Sequence, residues 1–131
     1  MTTRDLRNAI SPANSLSPAA RTASANGTGV DLQGFESVAV IVQFGAYTDG
    51  THTPSLQESS DNTNFTNVAA ADQGGTFTAV NGAGGANTVQ EVGYLGTRRY
   101  IRVVMTVASA TTGALSNALI VRGHATQMPA A

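Results

Sequence analysis

Short segments in which every second residue is apolar recur along the chain at intervals of roughly ten residues. Turn-forming residues separate them, as in NGTG (26–29), DNTN (61–64) and NGAGG (81–85). The first of these sequences, between RTASA and VDLQ, is a strong turn signal. We therefore predict an all-β chain, an antiparallel β-sandwich or jelly roll of about seven or eight strands.

Two segments show the alternation most clearly. One face of SVAVIVQFGAY (37–47) is apolar throughout, and the opposite face, which includes Ala39 and Ile41, is not very polar either. We therefore expect this strand to be central or covered on both sides. In RRYIRVVMTVA (98–108), apolar residues alternate from Ile101 onward, which predicts a second strand that lines the core.

The first twenty residues, MTTRDLRNAISPANSLSPAA, differ from the rest of the chain. Pro12 and Pro18 stop any helix there. We predict an extended N-terminal arm over 1–20 that reaches a neighbouring subunit, a β-sandwich domain over 21–126 and a short tail over 127–131. A disordered terminus is the alternative for the first segment.

Two clusters are candidate partner contacts: the apolar residues of the predicted arm, and an Arg-Arg-Tyr sequence that can supply polar or stacking contacts. These candidates are Leu6, Ile10, Leu16, Arg98, Arg99 and Tyr100.

Composition narrows the class of function. Charged residues make up 11% of the chain and the net charge is −1, against about 25% charged residues in typical soluble domains. A surface with so little charge favours packing against protein. The basic residues are scattered arginines, so no nucleic-acid footprint is predicted. No apolar run approaches the roughly 20 residues of a membrane span, and the amino terminus has no apolar signal segment, so no membrane partner is predicted.

Motifs for catalysis or cofactor binding are missing from the sequence. Asp49, His52, Glu58 and Asp61 are the best metal-ligand candidates, but their spacing matches no known metal motif. There is no G-x-S-x-G sequence, and a glycine-rich segment cannot be a P-loop because the chain has no lysine. We predict a protein that is not an enzyme and that binds no cofactor or metal.

Glu58 lies on the same strand face as Leu56, so its carboxylate is expected to be partly buried and to need a partner. One of three arginines, Arg98, Arg99 or Arg102, is expected to supply it across strands. The adjacent DNTN predicts a hairpin turn, because Asp and Asn side chains accept hydrogen bonds from nearby backbone N–H groups.

Part of the chain is similar to the closing half of discoidin-like, galactose-binding β-sandwiches. The similarity rests on SSD (59–61) with Phe65, on RYIR (99–102) and on Arg122. It covers about half of the chain, implies a fold and carries no ligand site. Glycan recognition usually needs aromatic platforms, and this chain has no Trp and only three Tyr and four Phe. A glycan-binding module is kept as an alternative function.

A second resemblance runs nearly from end to end. Its most specific parts are GTGVDLQGF (27–35), DGTHTPSLQESSD (49–61) and RRYIRVV (98–104), which resemble small proteins encoded in the structural modules of tailed bacteriophages. The resemblance implies a virion structural protein that is assembled in the host cytoplasm and located in the capsid. It implies a capsid decoration (cement) protein or a minor capsid protein. We expect a decoration protein that binds the major capsid protein and copies of itself, as a homotrimer or homodimer. A head–tail connector or tail component is the alternative.

Overall fold

The computed structural model describes residues 6–126. In this part of the chain, long strands such as β4 and β9 form where the sequence alternates, and the two-residue strands lie in the connections. The strands are β1 (Ile10–Arg21), β2 (Ala25–Asn26), β3 (Val30–Asp31), β4 (Phe35–Tyr47), β5 (Thr51–Ser59), β6 (Thr66–Asn67), β7 (Gln73–Gly74), β8 (Thr88–Tyr94), β9 (Tyr100–Ala108) and β10 (Ala114–Ala125). Two 3₁₀ turns cover Ala70–Asp72 and Ala83–Gly85.

The strands form two antiparallel sheets that pack face to face as a β-sandwich, which confirms the predicted fold class. Sheet A has the order β1-β10-β4-β8-β7. Sheet B has the order β2-β9-β5-β6, and β3 also pairs with β9. Within residues 6–126, no helix has the length and apolar character needed to cross a membrane.

The core lies between the inner faces of the two sheets. β4 contributes Val40, Val42 and Phe44 from its predicted apolar face, and all three are buried. β9 contributes Ile101, Val103 and Met105, which are fully buried. β4 lies between β10 and β8, so its predicted central position is confirmed.

The structure corrects the predicted N-terminal arm. Residues 10–21 form β1, an edge strand of sheet A that pairs with β10 from Ile10 opposite Gly123 to Arg21 opposite Ala114. The sandwich therefore begins at Ile10 and not at residue 21. Pro12 and Pro18 are compatible with this strand because it has a neighbour on one side only and its register shifts between Asn14 and Ala19. The predicted tail and the first five residues of the predicted arm lie outside the described residues.

The turn signal NGTG does not join two paired strands, because β2 and β3 both pair with β9 and not with each other. Between them, the Gly27 N–H donates to the Val103 carbonyl oxygen at 2.8 Å. A Cβ at Gly27 would lie 2.4 Å from Ser15 Oγ, so this close approach requires glycine. Ser15 Oγ accepts the Val103 N–H at 3.0 Å and so ties β1 to the edge of sheet B.

The DNTN sequence forms the predicted turn between β5 and β6. Asp61 Oδ1 accepts the backbone N–H groups of Thr63 at 2.9 Å and Asn64 at 2.8 Å. Asn62 takes a left-handed conformation with φ of 61°, which asparagine tolerates better than most residues. The DNTN segment therefore forms the turn of this hairpin, as the sequence predicted.

Candidate interaction surface

The outer face of sheet A is mainly apolar, with polar side chains such as Asn14, Gln43 and Glu91 among the apolar ones, and no other element of the described chain covers it. Its side chains alternate along the strands with fully buried core residues such as Val40 and Ile120. Val89 is 60% exposed and Leu115 is 47% exposed. We call this surface the apolar face, and its members are Pro12, Ala39, Ile41, Val89, Leu115, Leu119 and Val121.

The outer face of sheet B has the opposite character. Its cross-strand pairs include Thr53 opposite Thr106 and Gln57 opposite Arg102. The Arg102 guanidinium donates two hydrogen bonds to Gln57 Oε1, at 2.9 and 2.7 Å, and lies 4.1 Å from the centre of the Phe65 ring. The sandwich is therefore two-sided, with a polar sheet surface on one side and an apolar one on the other.

A groove of about 620 Å³ continues the apolar face at one end of sheet A. Leu6 and Ile10, two of the predicted anchors, lie together in its lining, and Leu6 is 66% exposed. Leu16, the third predicted anchor, is only 3% exposed and belongs to the core. Leu16 is therefore not available to a partner, because β1 belongs to the sandwich.

The groove also contains a hydrogen-bonded pair, Ser37 Oγ with His124 Nδ1. A hydrolytic serine needs an acid that orients the imidazole and donors that stabilise the oxyanion. Among residues 6–126, no carboxylate is hydrogen-bonded to His124. The arrangement can contribute polar contacts at the rim of an apolar groove.

The last three candidate partner contacts lie at the same end of the molecule but make different contacts. They are Arg98, Arg99 and Tyr100. Arg98 is exposed, whereas Arg99 forms a salt bridge of 2.8 Å with Asp31 and lies 5.1 Å from the centre of the Tyr100 ring. The hydrogen bond from Arg99 lowers the pKa of the Asp31 carboxyl to about 2. The Arg98 guanidinium takes no part in this ion pair.

Arg98 and Arg99 line a more polar cleft of about 390 Å³. Glu36 and Val38 line both this cleft and the groove, so the two depressions are adjacent. The structure therefore brings together Leu6, Ile10 and the two arginines at one end of the sandwich.

The metal-ligand candidates have structural roles instead. The Asp49 carboxylate accepts backbone N–H groups at 111–113, and the closest, from Gly113, lies at 2.7 Å. These hydrogen bonds, first of all the one from Gly113, lower the pKa of Asp49. His52 is fully buried, and its Nε2 lies 3.0 Å from the Asp49 carbonyl oxygen. No group of three potential metal ligands exists within residues 6–126.

The predicted ion pair of Glu58 is wrong. The Tyr94 hydroxyl donates a hydrogen bond of 2.7 Å to Glu58 Oε1 and accepts the Arg98 N–H at 3.0 Å. Burial, followed by the hydrogen bond to Glu58, raises the pKa of the Tyr94 phenol to about 12. A neutral hydroxyl thus satisfies the carboxylate where an arginine was expected.

Comparisons with models of protein families, with curated proteins and with solved structures find no match for this chain. The sequence signal for the apolar face is the weakly polar second face of β4, at Ala39 and Ile41, which predicts a strand that is either central or covered on both sides. The strand is central, and this face is uncovered in the described chain.

Proposed function

We propose that this chain is a structural protein of a phage virion, a decoration protein that binds the head shell through protein–protein contacts. The observation that carries this proposal is the apolar face. A sheet surface with a central apolar patch beside an apolar groove is the kind of surface that proteins cover with another protein.

The low charge of the chain supports binding to protein over binding to nucleic acid. The net charge of −1 limits repulsion when many copies crowd on one shell. The outer face of sheet B provides hydrogen-bonding side chains and the outer face of sheet A provides apolar contact area. The phage context comes from the sequence resemblance, and its expected partner is the major capsid protein.

Copy number in purified particles tests the proposal. A decoration protein is expected at a copy number comparable with that of the major capsid protein, measured by quantitative mass spectrometry. A far lower number would favour the connector or tail role. Absence of the chain from particles would contradict both.

Rebinding provides the second test. Purified protein added to heads that lack it should co-sediment with them to a saturable level, and the decorated heads should resist heat at higher temperature than undecorated heads. Failure to bind expanded heads under any salt condition would contradict a decoration role.

A further inference from the structure

We propose that the apolar face binds a second copy of this chain, face to face, around a two-fold axis that runs along the strands between β10 and β4. This inference rests on the proposed function and names one partner within it. Sheet A has the strand order β1-β10-β4-β8, so such an axis places β10 of one copy on β4 of the other, and β1 on β8.

The central row of the face is self-complementary under this operation. Asn14, Leu119, Ile41 and Glu91 are paired across the four strands and point outward. The axis places Leu119 against Ile41 of the second copy, so the two apolar residues cover each other. It also brings the Asn14 amide, an N–H donor, near the Glu91 carboxylate, an acceptor.

The next row toward the groove is complementary in size. It contains Pro12, Val121, Ala39 and Gly93 in the same strand order. The two larger side chains lie on β1 and β10 and the two smallest on β4 and β8. The two-fold operation therefore places each large side chain on a small residue, Val121 on Ala39 and Pro12 on Gly93. Two close-packed sheets require such a match in size.

On the other side of the central row, Asn117 and Gln43 are cross-strand neighbours on β10 and β4. The axis brings the amide of Asn117 close to the amide of Gln43 in the second copy, and each can both donate and accept. The charged member of these three rows is Glu91 on β8, and the two copies of it would be separated by about three strand spacings, roughly 14 Å. Like-charge repulsion across the interface is therefore small.

The size of the face suits a dimer. Four strands at about 4.8 Å spacing and about eight residues at 3.3 Å rise cover roughly 500 Å² in projection, and side-chain relief and the groove enlarge that area. A standard interface buries about 800 Å² per partner. Twisted sheets of the same hand pack well when aligned at about −30°, and a second copy supplies a sheet of matching twist.

Pairing through the β1 edge of sheet A is less favourable than stacking of its face. The edge strand β1 contains Pro12 and Pro18, which lack N–H donors, and its register shifts twice against β10. Prolines and irregularities are the features that prevent strand addition at sheet edges. The face, in contrast, carries no such protection.

Sedimentation of the full chain with single and mixed variants tests the axis. The wild-type chain should sediment as a dimer of the 13.3 kDa protomer. Leu119→Lys and Ile41→Glu should each weaken the dimer by at least about 100-fold, because each places an unpaired charge in the interface. An equimolar mixture of the two variants should form a heterodimer, since the introduced ammonium and carboxylate face each other. Val104→Lys, on the outer face of sheet B, is the matched control and should leave the dimer unchanged.

Chemical cross-linking gives a second measurement with variants that perturb folding less. The chain has no cysteine, so Ile41→Cys and Leu119→Cys introduce the only thiols. A bismaleimide that spans about 10 Å, the spacing of stacked sheets, should link the two variants in a mixture, and Val104→Cys should not be linked. A monomeric wild-type chain, a dimer unaffected by either charge, or a mixture that stays monomeric would overturn the inference.

The outcomes separate this inference from the proposed function. A chain that is monomeric in solution and still decorates heads would overturn the self-association alone and would favour the shell as occupant of the face. A chain that dimerises as described but is absent from particles would contradict the proposed function alone.

Discussion

Individual aspartates in this chain stabilise turns, and their ionisation links stability to pH. Asp61 accepts the N–H groups of Asn64 and Thr63 and the hydroxyl of Ser59, and these bonds, in that order, lower its pKa. A carboxyl with a lowered pKa in the folded state contributes stability that is fully present above its unfolded pKa of about 4 and is lost as pH falls further.

We therefore predict that the melting temperature falls between about pH 5 and pH 2 and that Asp61→Asn makes this fall shallower. The amide keeps an oxygen that can accept the same N–H groups but does not titrate. Scanning calorimetry across this range checks the prediction. Parallel curves for the wild type and Asp61→Asn would show that the turn carboxylate is not a source of the pH dependence.

The hydrogen bond from the Tyr94 hydroxyl to Glu58 links the two sheets, because Tyr94 lies in β8 of sheet A and Glu58 in β5 of sheet B. Tyr94→Phe leaves a partly buried carboxylate oxygen without this donor and should lower the free energy of unfolding by about 1–3 kcal/mol. Urea titration measures the change. Tyr100→Phe is the matched control and should change stability by less than about 0.5 kcal/mol; equal effects would contradict the assignment.

At the scale of elements, β1 is part of the fold. Deletion of residues 1–18 removes most of β1, exposes the edge of β10 and removes Leu16, which alone contributes about 2–5 kcal/mol. We predict that this deletion abolishes cooperative unfolding, measured by circular dichroism. Deletion of residues 1–8, which ends before β1 begins, should leave a cooperative transition. A stable domain after the longer deletion would restore the arm interpretation.

The register of β9 provides a matched pair of substitutions. Val103 is fully buried, whereas the next residue, Val104, lies on the outer face of sheet B and is half-buried. Val103→Asp should destabilise the fold by more than about 4 kcal/mol, because it places an unpaired charge in the core. Val104→Asp should retain the native circular dichroism spectrum. The reverse order of effects would mean that the inner and outer faces of β9 are exchanged.

Alternation was sufficient to predict β4 and β9, because each has apolar residues that face the core at every second position. It was not sufficient for β1, since an edge strand with two prolines and irregular pairing lacks a regular period. It also failed for β2 and β3. A turn sequence such as NGTG predicts reversal of the chain but not the strand with which each side pairs.

The candidate surface was predictable only in part. Leu6 and Ile10 were predicted as anchors, and they lie in the groove next to the apolar face. The face itself combines residues from four strands, and the order of those strands depends on long-range pairing of β10 with both β1 and β4. Sequence periodicity identifies which residues share a face of one strand, but not which strands are neighbours or whether another layer covers them.

At the scale of the whole molecule, the two outer faces differ in the forces that they can use. The polar face of sheet B carries hydrogen-bonding side chains and Arg102, while three rows of the apolar face contain one charged residue, Glu91. Association through the apolar face should therefore be driven by removal of apolar area from water. Association through the arginine-bearing end would instead be electrostatic and sensitive to salt.

The salt dependence of self-association therefore distinguishes association through the apolar face from association through the arginine-bearing end. We predict that the dimer dissociation constant changes by less than about threefold between 0.05 and 0.5 M NaCl, because exposed charges are screened over this range and few of them lie at the interface. Ammonium sulfate should strengthen association, since excluded salts favour burial of apolar surface. Sedimentation equilibrium at each salt concentration measures both effects. A steep loss of association in NaCl, with no gain in sulfate, would place the contact at the Arg98 end of the sandwich and not at the apolar face.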